Sequence, residues 1–319
     1  TPEELTGAGL FTFEKAELES NTFHFKFSDF NSDTADFRLK SYLSSFDGFD
    51  FKTNNVEAKI DFANRKGEFV SNDGTSMVEF PANQYVAFMD RFTWLMDQEA
   101  IELSGGTSTK ASAGGIMQFE GSRFISVNPE QDSLEFYSPA ARFNFNEKII
   151  KAKEVQFVQV ADALIYPDSG FITILKKAKM KTLTNARIVA NAITKFHKID
   201  SATVDIFARR DYVGTGQYTY KDIADNKQLL RFTTIGVDSS DQTYAKGNIS
   251  EERAFTLSPY FDYKGSVELE GSKRDLTFSG YSKIKHQCDA SIPLSWFQFS
   301  SAIDPEDIYI SIGKGLLDE

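Results

Sequence analysis

The sequence predicts an all-β fold, mainly antiparallel, with hairpins stacked into an elongated jelly-roll or solenoid-like array and at most one or two short helices. Two observations carry that expectation. Apolar and polar residues alternate with period two over many short stretches, and turn residues separate those stretches. The apolar content is also unusually aromatic, with 30 Phe and 12 Tyr inside a chain whose mean hydropathy is only -0.35. Rings spread through polar sequence suit the half-buried faces of pleated sheets.

The first clear strand is Thr22-Phe23-His24-Phe25-Lys26-Phe27, where alternation places three Phe rings on one face. Val56 to Phe62 alternates in the same way, turns through Asn64-Arg65-Lys66-Gly67 and returns as Glu68-Phe69-Val70. Gly67 is the residue expected to take the left-handed turn position. Ala141 to Phe145 turns at Asn146-Glu147 and returns as Ile149 to Ala152. Ala163 to Tyr166 turns at Pro167-Asp168-Ser169-Gly170, the strongest turn signal in the chain, and returns as Phe171 to Ile174. Ala-x-apolar starts recur at Ala178, Ala186 and Ala202, with spacing too irregular for a strict-period solenoid.

One segment departs from this pattern. In Pro81 to Asp90, Tyr85, Phe88 and Met89 fall on one helical face behind a proline suited to a first turn, which predicts a short helix near 81–90. Phe92 to Met96 and Ala100 to Leu103 then read as a hairpin around Asp97-Gln98-Glu99, with a longer helix through Met96 as the alternative. The Gly/Ser/Thr-rich stretch 105–115 reads as a linker or long loop. It divides an N-terminal β-rich region, 1–104, from a C-terminal stacked-hairpin region, 116–319, with strands expected at 218–220, 229–235, 260–269, 276–278 and 308–312.

The 319 residues suffice for two domains or one extended array. No run approaches the roughly 20 apolar residues of a membrane-spanning helix. Thr1-Pro2-Glu3-Glu4 resembles the start of a processed product or excised fragment, so an export signal is expected outside this sequence. A single cysteine, Cys288, leaves no internal disulfide, reads as a small buried hydrophobe and leans towards the cell envelope. The net charge of -11 argues against a nucleic-acid partner. That charge is uneven: between Lys148 and Lys198 ten basic residues face three acidic ones, giving +7 and leaving -18 for the remainder.

Tests for catalytic chemistry give nothing decisive. His24 lies opposite the Phe face, His197 lies in the basic stretch, and His286 with Cys288 lacks a second pair of metal ligands. Ser282 to Lys285 and Ser311 to Lys314 match Ser-x-x-Lys without the accompanying elements of penicillin-binding enzymes. The glycines at 105–106 and 214–216 do not form a phosphate loop. Asp238-Ser239-Ser240-Asp241 and Asp304-Pro305-Glu306-Asp307 are oxygen-rich turns without the spacing of a calcium loop. We therefore expect no catalytic residues, no metal and no cofactor.

Two features point to binding. Lys176, Lys177, Lys179 and Lys181 cluster as a patch for an anionic glycan, a lipid head group or an acidic protein surface. The plainer account is an edge strand guarded by lysines. The aromatic set Trp94, Trp296, Tyr212, Tyr218 and Tyr220 suits core packing, with sugar stacking as the functional alternative.

The Ala-x-apolar hairpins at 56–70, 141–152 and 163–174 resemble those of periplasmic lipopolysaccharide-transport proteins of the organic-solvent-tolerance type. Phrases such as Gln131 to Phe136 and Leu257-Ser258-Pro259 are similar to those of large uncharacterised envelope proteins of Bacteroidota. The resemblance implies an open β-jelly-roll in the periplasm or cell envelope. The expected role is a non-catalytic structural or binding segment of a large exported protein. A lipid or lipopolysaccharide carrier with an apolar groove and a carbohydrate-binding module are the alternatives.

Overall fold

The computed structural model describes residues 5–41, 48–74, 76–105, 111–113, 117–119, 121–285 and 295–310. The strands in chain order begin with β1 (Leu5–Phe13), β2 (Ala16–Phe25), β3 (Asp29–Lys40), β4 (Phe49–Asp61) and β5 (Lys66–Ser71). β6 (Ser76–Phe80), β7 (Tyr85–Met89), β8 (Arg91–Leu95), β9 (Ala100–Ser104), β10 (Ala111–Ala113) and β11 (Met117–Phe119) follow. Next come β12 (Ser122–Ser126), β13 (Glu135–Ser138), β14 (Ala140–Asn144), β15 (Ile149–Lys153), β16 (Val158–Val160), β17 (Ala163–Tyr166) and β18 (Ile172–Ile174). The last are β19 (Leu183–Val189), β20 (Lys198–Ala208), β21 (Asp211–Lys221), β22 (Lys227–Val237), β23 (Thr243–Ile249), β24 (Thr256–Ser258), β25 (Phe261–Glu270), β26 (Leu276–Ile284) and β27 (Trp296–Ile303). Among the described residues the only helical elements are short 3₁₀ turns. The fold is all-β and antiparallel, and its sheets curl.

Residues 1–158, 166–181 and 207–209 form one compact unit, and the remainder forms a second. The first unit is built on a 14-stranded sheet in the order β13-β12-β7-β6-β4-β5-β8-β9-β14-β15-β18, with β3, β2 and β1 leading off β4. One strand serves both halves. β4 pairs with β6 through Lys52 and Thr53, then with β5 from Val56 to Asp61. Between those two stretches Asn55 adopts φ 55°, a left-handed conformation that Asn tolerates better than most residues. Asp36 accepts its backbone N–H at 3.2 Å and Asp73 its side-chain amide at 2.8 Å, which holds the bend.

From there the chain twice runs strand, 3₁₀ turn, strand, strand, turn, strand. β6-β7 and β8-β9 are the first pass, and β12-β13 and β14-β15 the second; β7 pairs with β12 and β9 with β14. Alternation along each strand directs one face inward. There Phe37 lies 4.3 Å from Phe69, Phe69 stacks on Phe92 at 4.5 Å, and Phe80 meets Phe143 at 5.1 Å. Each fully buried ring contributes about 1.5–3 kcal/mol, so these inward positions dominate the stability of the unit.

The second unit is an 11-stranded antiparallel sheet, β16-β17-β19-β20-β21-β22-β23-β25-β26-β27, with β24 beside β25. Its inner face carries Tyr212, Tyr220, Phe232, Tyr263 and Phe278, all buried. Gly265 and Gly280 face each other across β25 and β26. A Cβ on Gly265, at φ 144°, would lie 2.6 Å from Gly280 Cα, and the Tyr263 hydroxyl fills the space beside both glycines.

Several local expectations need correction. Residues 81–90 are not a helix: Pro81–Asn83 make one 3₁₀ turn, Gln84 takes φ 53°, and Tyr85–Met89 are a strand. Tyr85, Ala87 and Met89 alternate inward, and partners on both sides, β6 and β12, draw the segment into the sheet. In the β4–β5 turn the left-handed residue is Arg65, at φ 50°, whereas Gly67 lies in β5. Gly67 is small for a different reason: a Cβ there would meet Ile60 and Phe69 at 2.9 Å. Residues 308–310 are not strand, and 311–312 lie outside the described residues. The stretch 105–115 also lies largely outside them; β9 and β12 on either side belong to the same sheet.

Candidate functional site

The lysine cluster does not lie on a strand. Leu175 N–H donates to Lys179 O at 2.8 Å, closing a tight turn in which Lys177 and Ala178 both have φ 57°. Two left-handed residues in succession, neither glycine, need external support. The 3₁₀ turn after β6 supplies it: Ala82 O accepts from Lys177 N–H at 3.0 Å and Asn83 O from Ala178 N–H at 2.8 Å. The Gln131 side-chain amide donates to Ala178 O at 2.9 Å, and the buried Asn83 amide donates to Lys148 O and Ile174 O at 2.8 and 3.3 Å. Ala178 and Met180 point inward and are buried, so Lys176, Lys177, Lys179 and Lys181 all point to solvent.

The cluster is larger than the four lysines read from sequence. Lys181 N–H donates to Thr173 O at 2.9 Å, Thr173 pairs with Lys151, and Lys151 pairs with Arg142. Residues opposite one another in an antiparallel pair share a face. Lys151 and Lys153, both exposed, therefore extend the cationic surface inward from the sheet edge. Arg142 is neutralised by Glu102 at 2.9 Å. Among the described residues none of the six lysines is within ion-pair distance of an acid.

A seventh lysine, Lys148, is buried instead. It pairs with Asp50, also buried, on the inner side of the same unit.

The remaining candidates separate. Trp94 is buried and offers no face to a ligand. Trp296 is half-buried on β27, with the Lys264 ammonium 4.3 Å and the Lys283 ammonium 4.9 Å from its ring, both at cation–π distance. Tyr212 is hydrogen-bonded to Thr243 at 2.9 Å and Tyr220 to Leu257 O at 2.8 Å, as buried phenols require. Burial pushes both of these phenols well above the ordinary tyrosine range.

His197 is buried, a placement its position in a basic stretch does not reveal. Its Nε2 donates to Lys273 O at 2.7 Å, because a carbonyl only accepts, so neutral Nδ1 is left to accept from the Tyr218 hydroxyl at 3.3 Å. Burial lowers its pKa below the ordinary histidine value, against the opposing pull of the Lys273 carbonyl and the Asp275 charge. Tyr218, Leu276, Ile303 and Arg274 line an open cleft of about 510 Å³ beside it.

The Ser282 hydroxyl donates to Asp262 O, and Lys285 pairs with Asp262 at 2.8 Å, so both serve the sheet. Asp238 and Asp304 accept backbone N–H groups of their own turns. Among the described residues no three His, Cys, Asp or Glu side chains gather to hold a metal, and no helix is long and apolar enough to cross a membrane. His286, Cys288 and Ser311 to Lys314 lie outside the described residues. No family model, no curated protein and no solved structure matches this chain.

Proposed function

We propose that this chain is a non-catalytic binding scaffold, a segment of a larger exported envelope protein that presents its sheet surfaces to partners. The observation that supports this is the cationic surface of the first unit. Six exposed lysines, without acidic partners among the described residues, are held on the interior strand β15 and on a turn braced by the Ala82–Asn83 turn and by Gln131. A surface whose backbone is held this way favours recognition, because the segments that carry the lysines do not have to be ordered on binding. Export and the envelope setting rest on the resemblance of the hairpins and on the single cysteine.

The test has two arms. A turnover screen across glycan, ester and phosphate substrates is expected to find no activity. Robust turnover abolished by one substitution would overturn the scaffold reading. Fractionation of the source cells with an antibody to this chain is expected to place it in the envelope, and recovery in the cytoplasm would overturn export.

A second reading keeps one observation in its favour. At the β1–β2 end of the first unit, Phe11, Phe13, Phe25 and Phe62 are only half-buried, with Phe11 4.8 Å from buried Phe30. Further along the same faces Val56, Ala58, Ile60, Ala141 and Phe143 are sealed. A lipid carrier would therefore use the Phe11 end alone. Uptake of a fluorescent fatty acid that is lost in Phe11→Ser/Phe62→Ser would support it.

A further inference from the structure

We propose that the cationic end of the first unit binds a linear, carboxylated or sulfated polysaccharide, laid across β15 and β18 and onto the lysine turn. This deepens the binding role above and rests on it only for the premise that the chain presents surfaces to partners.

The argument begins with what edge protection leaves unexplained. Lysines on an exposed edge strand prevent unwanted strand pairing, which accounts for Lys179 and Lys181 beside the short edge strand β18. It does not account for Lys151. That residue lies on β15, which has partners on both sides, and sits directly opposite Arg142. Like charges directly opposite one another are destabilising. Glu102 offsets Arg142 but lies on the far side of it, one strand further from Lys151. The arrangement places the Lys151 and Lys153 ammonium groups about 7 Å apart along β15 and Lys181 about 10 Å across from Lys151, with Thr173 between them.

The rest of the surface selects among anions. A bilayer would be expected to meet large apolar side chains next to the lysines. Here Ile172, Ile174, Ala178 and Met180 are buried, and Phe171, beside Lys153 in the β15–β18 register, is the one large exposed apolar side chain of β18 and the turn, a single ring where a bilayer needs an apolar face. A single-stranded nucleic acid would need aromatic platforms interleaved with the charges, and Thr173 occupies the central position instead. A hydrated polysaccharide needs neither, since spaced carboxylates or sulfates and hydroxyls match ammonium groups and a threonine.

The test uses the full chain with heparin and polygalacturonate as probes, followed by calorimetry or by anisotropy of labelled oligosaccharides. Binding is expected at low salt and should weaken steeply as NaCl rises. Lys176→Gln/Lys177→Gln/Lys179→Gln/Lys181→Gln should weaken it about 30-fold, four exposed ionic contacts of typical strength. Lys151→Gln/Lys153→Gln, away from the turn, should weaken it independently. Lys26→Gln/Lys59→Gln/Lys198→Gln/Lys227→Gln, an equal loss of charge elsewhere, should change it by less than about 3-fold. Unaltered thermal midpoints would show that each variant folds. No binding to either probe, equal weakening by the cluster and control variants, or tighter binding to phosphatidylglycerol vesicles than to polysaccharide would overturn the proposal. A chain without turnover that fails to bind keeps the scaffold reading and loses this one. A chain with turnover and lysine-dependent binding does the reverse.

Discussion

Lys148 and Asp50, 98 positions apart in sequence, form an ion pair inside the first unit, with both side chains almost fully buried. Removing one member leaves an uncompensated buried charge, which costs about 3–5 kcal/mol. Lys148→Met should therefore lower stability by that amount in urea denaturation. Lys148→Met/Asp50→Leu should recover most of the loss, because two apolar groups replace the pair. Equal losses in the single and double variants would show that packing around Lys148, rather than the charge, is what matters.

Gly265 and Gly9 separate two kinds of glycine requirement. Both have positive φ, 144° and 119°, but only Gly265 has atoms where a Cβ would go. Gly9→Ala should cost only backbone strain, about 1–3 kcal/mol. Gly265→Ala adds overlap with Gly280 Cα and Ser279 O, and should cost about 1–3 kcal/mol more. Denaturation midpoints of the two variants against the parent chain measure the difference directly.

The buried His197 makes a signed pH prediction. Burial lowers its pKa in the folded chain relative to the ordinary value of 6.5. As pH falls through that value the unfolded chain takes up a proton that the folded chain resists, so stability falls with falling pH until the folded pKa is reached. The slope from one such group is at most about 1.4 kcal/mol per pH unit. Comparing the parent with His197→Gln between pH 8 and 5 isolates this contribution from other titrating groups. Parallel pH profiles would mean that His197 protonates equally in both states.

Tyr85 carries a buried hydroxyl with no hydrogen-bond partner among the described residues, and burial raises its pKa well above the ordinary tyrosine range. Tyr85→Phe removes a desolvated polar group while keeping the ring against Phe136. Stability should rise by up to about 1 kcal/mol. A loss of similar size would reveal an ordered water on that hydroxyl.

Much of the strand architecture was legible because period two is a local property. The strand from Val56 to Phe62, the hairpin from Ala141 to Ala152 and the turn at Pro167 to Gly170 could be read directly from residue order. Residues 81–90 could not, since Tyr85 and Met89 satisfy both a helical stripe and an alternating face. The lysine turn failed for a related reason. Lys177-Ala178-Lys179-Met180-Lys181 alternates like an edge strand, but hydrogen bonds that Lys177 and Ala178 N–H donate to Ala82 O and Asn83 O hold these first residues in a left-handed turn.

The sequence alone determined the class of the fold and the uneven charge, because alternation, turn residues and ionisable groups are encoded position by position. It could not distinguish Lys148, which is buried against Asp50, from Lys151, which is exposed beside Thr173. Nor could it show that His197 meets Tyr218, or that Lys151, Lys153 and Lys181 share one surface. Those outcomes depend on strand register, and a shift of one residue would turn every side chain to the opposite face. Only tertiary pairing fixes that register, through contacts between segments far apart in the chain.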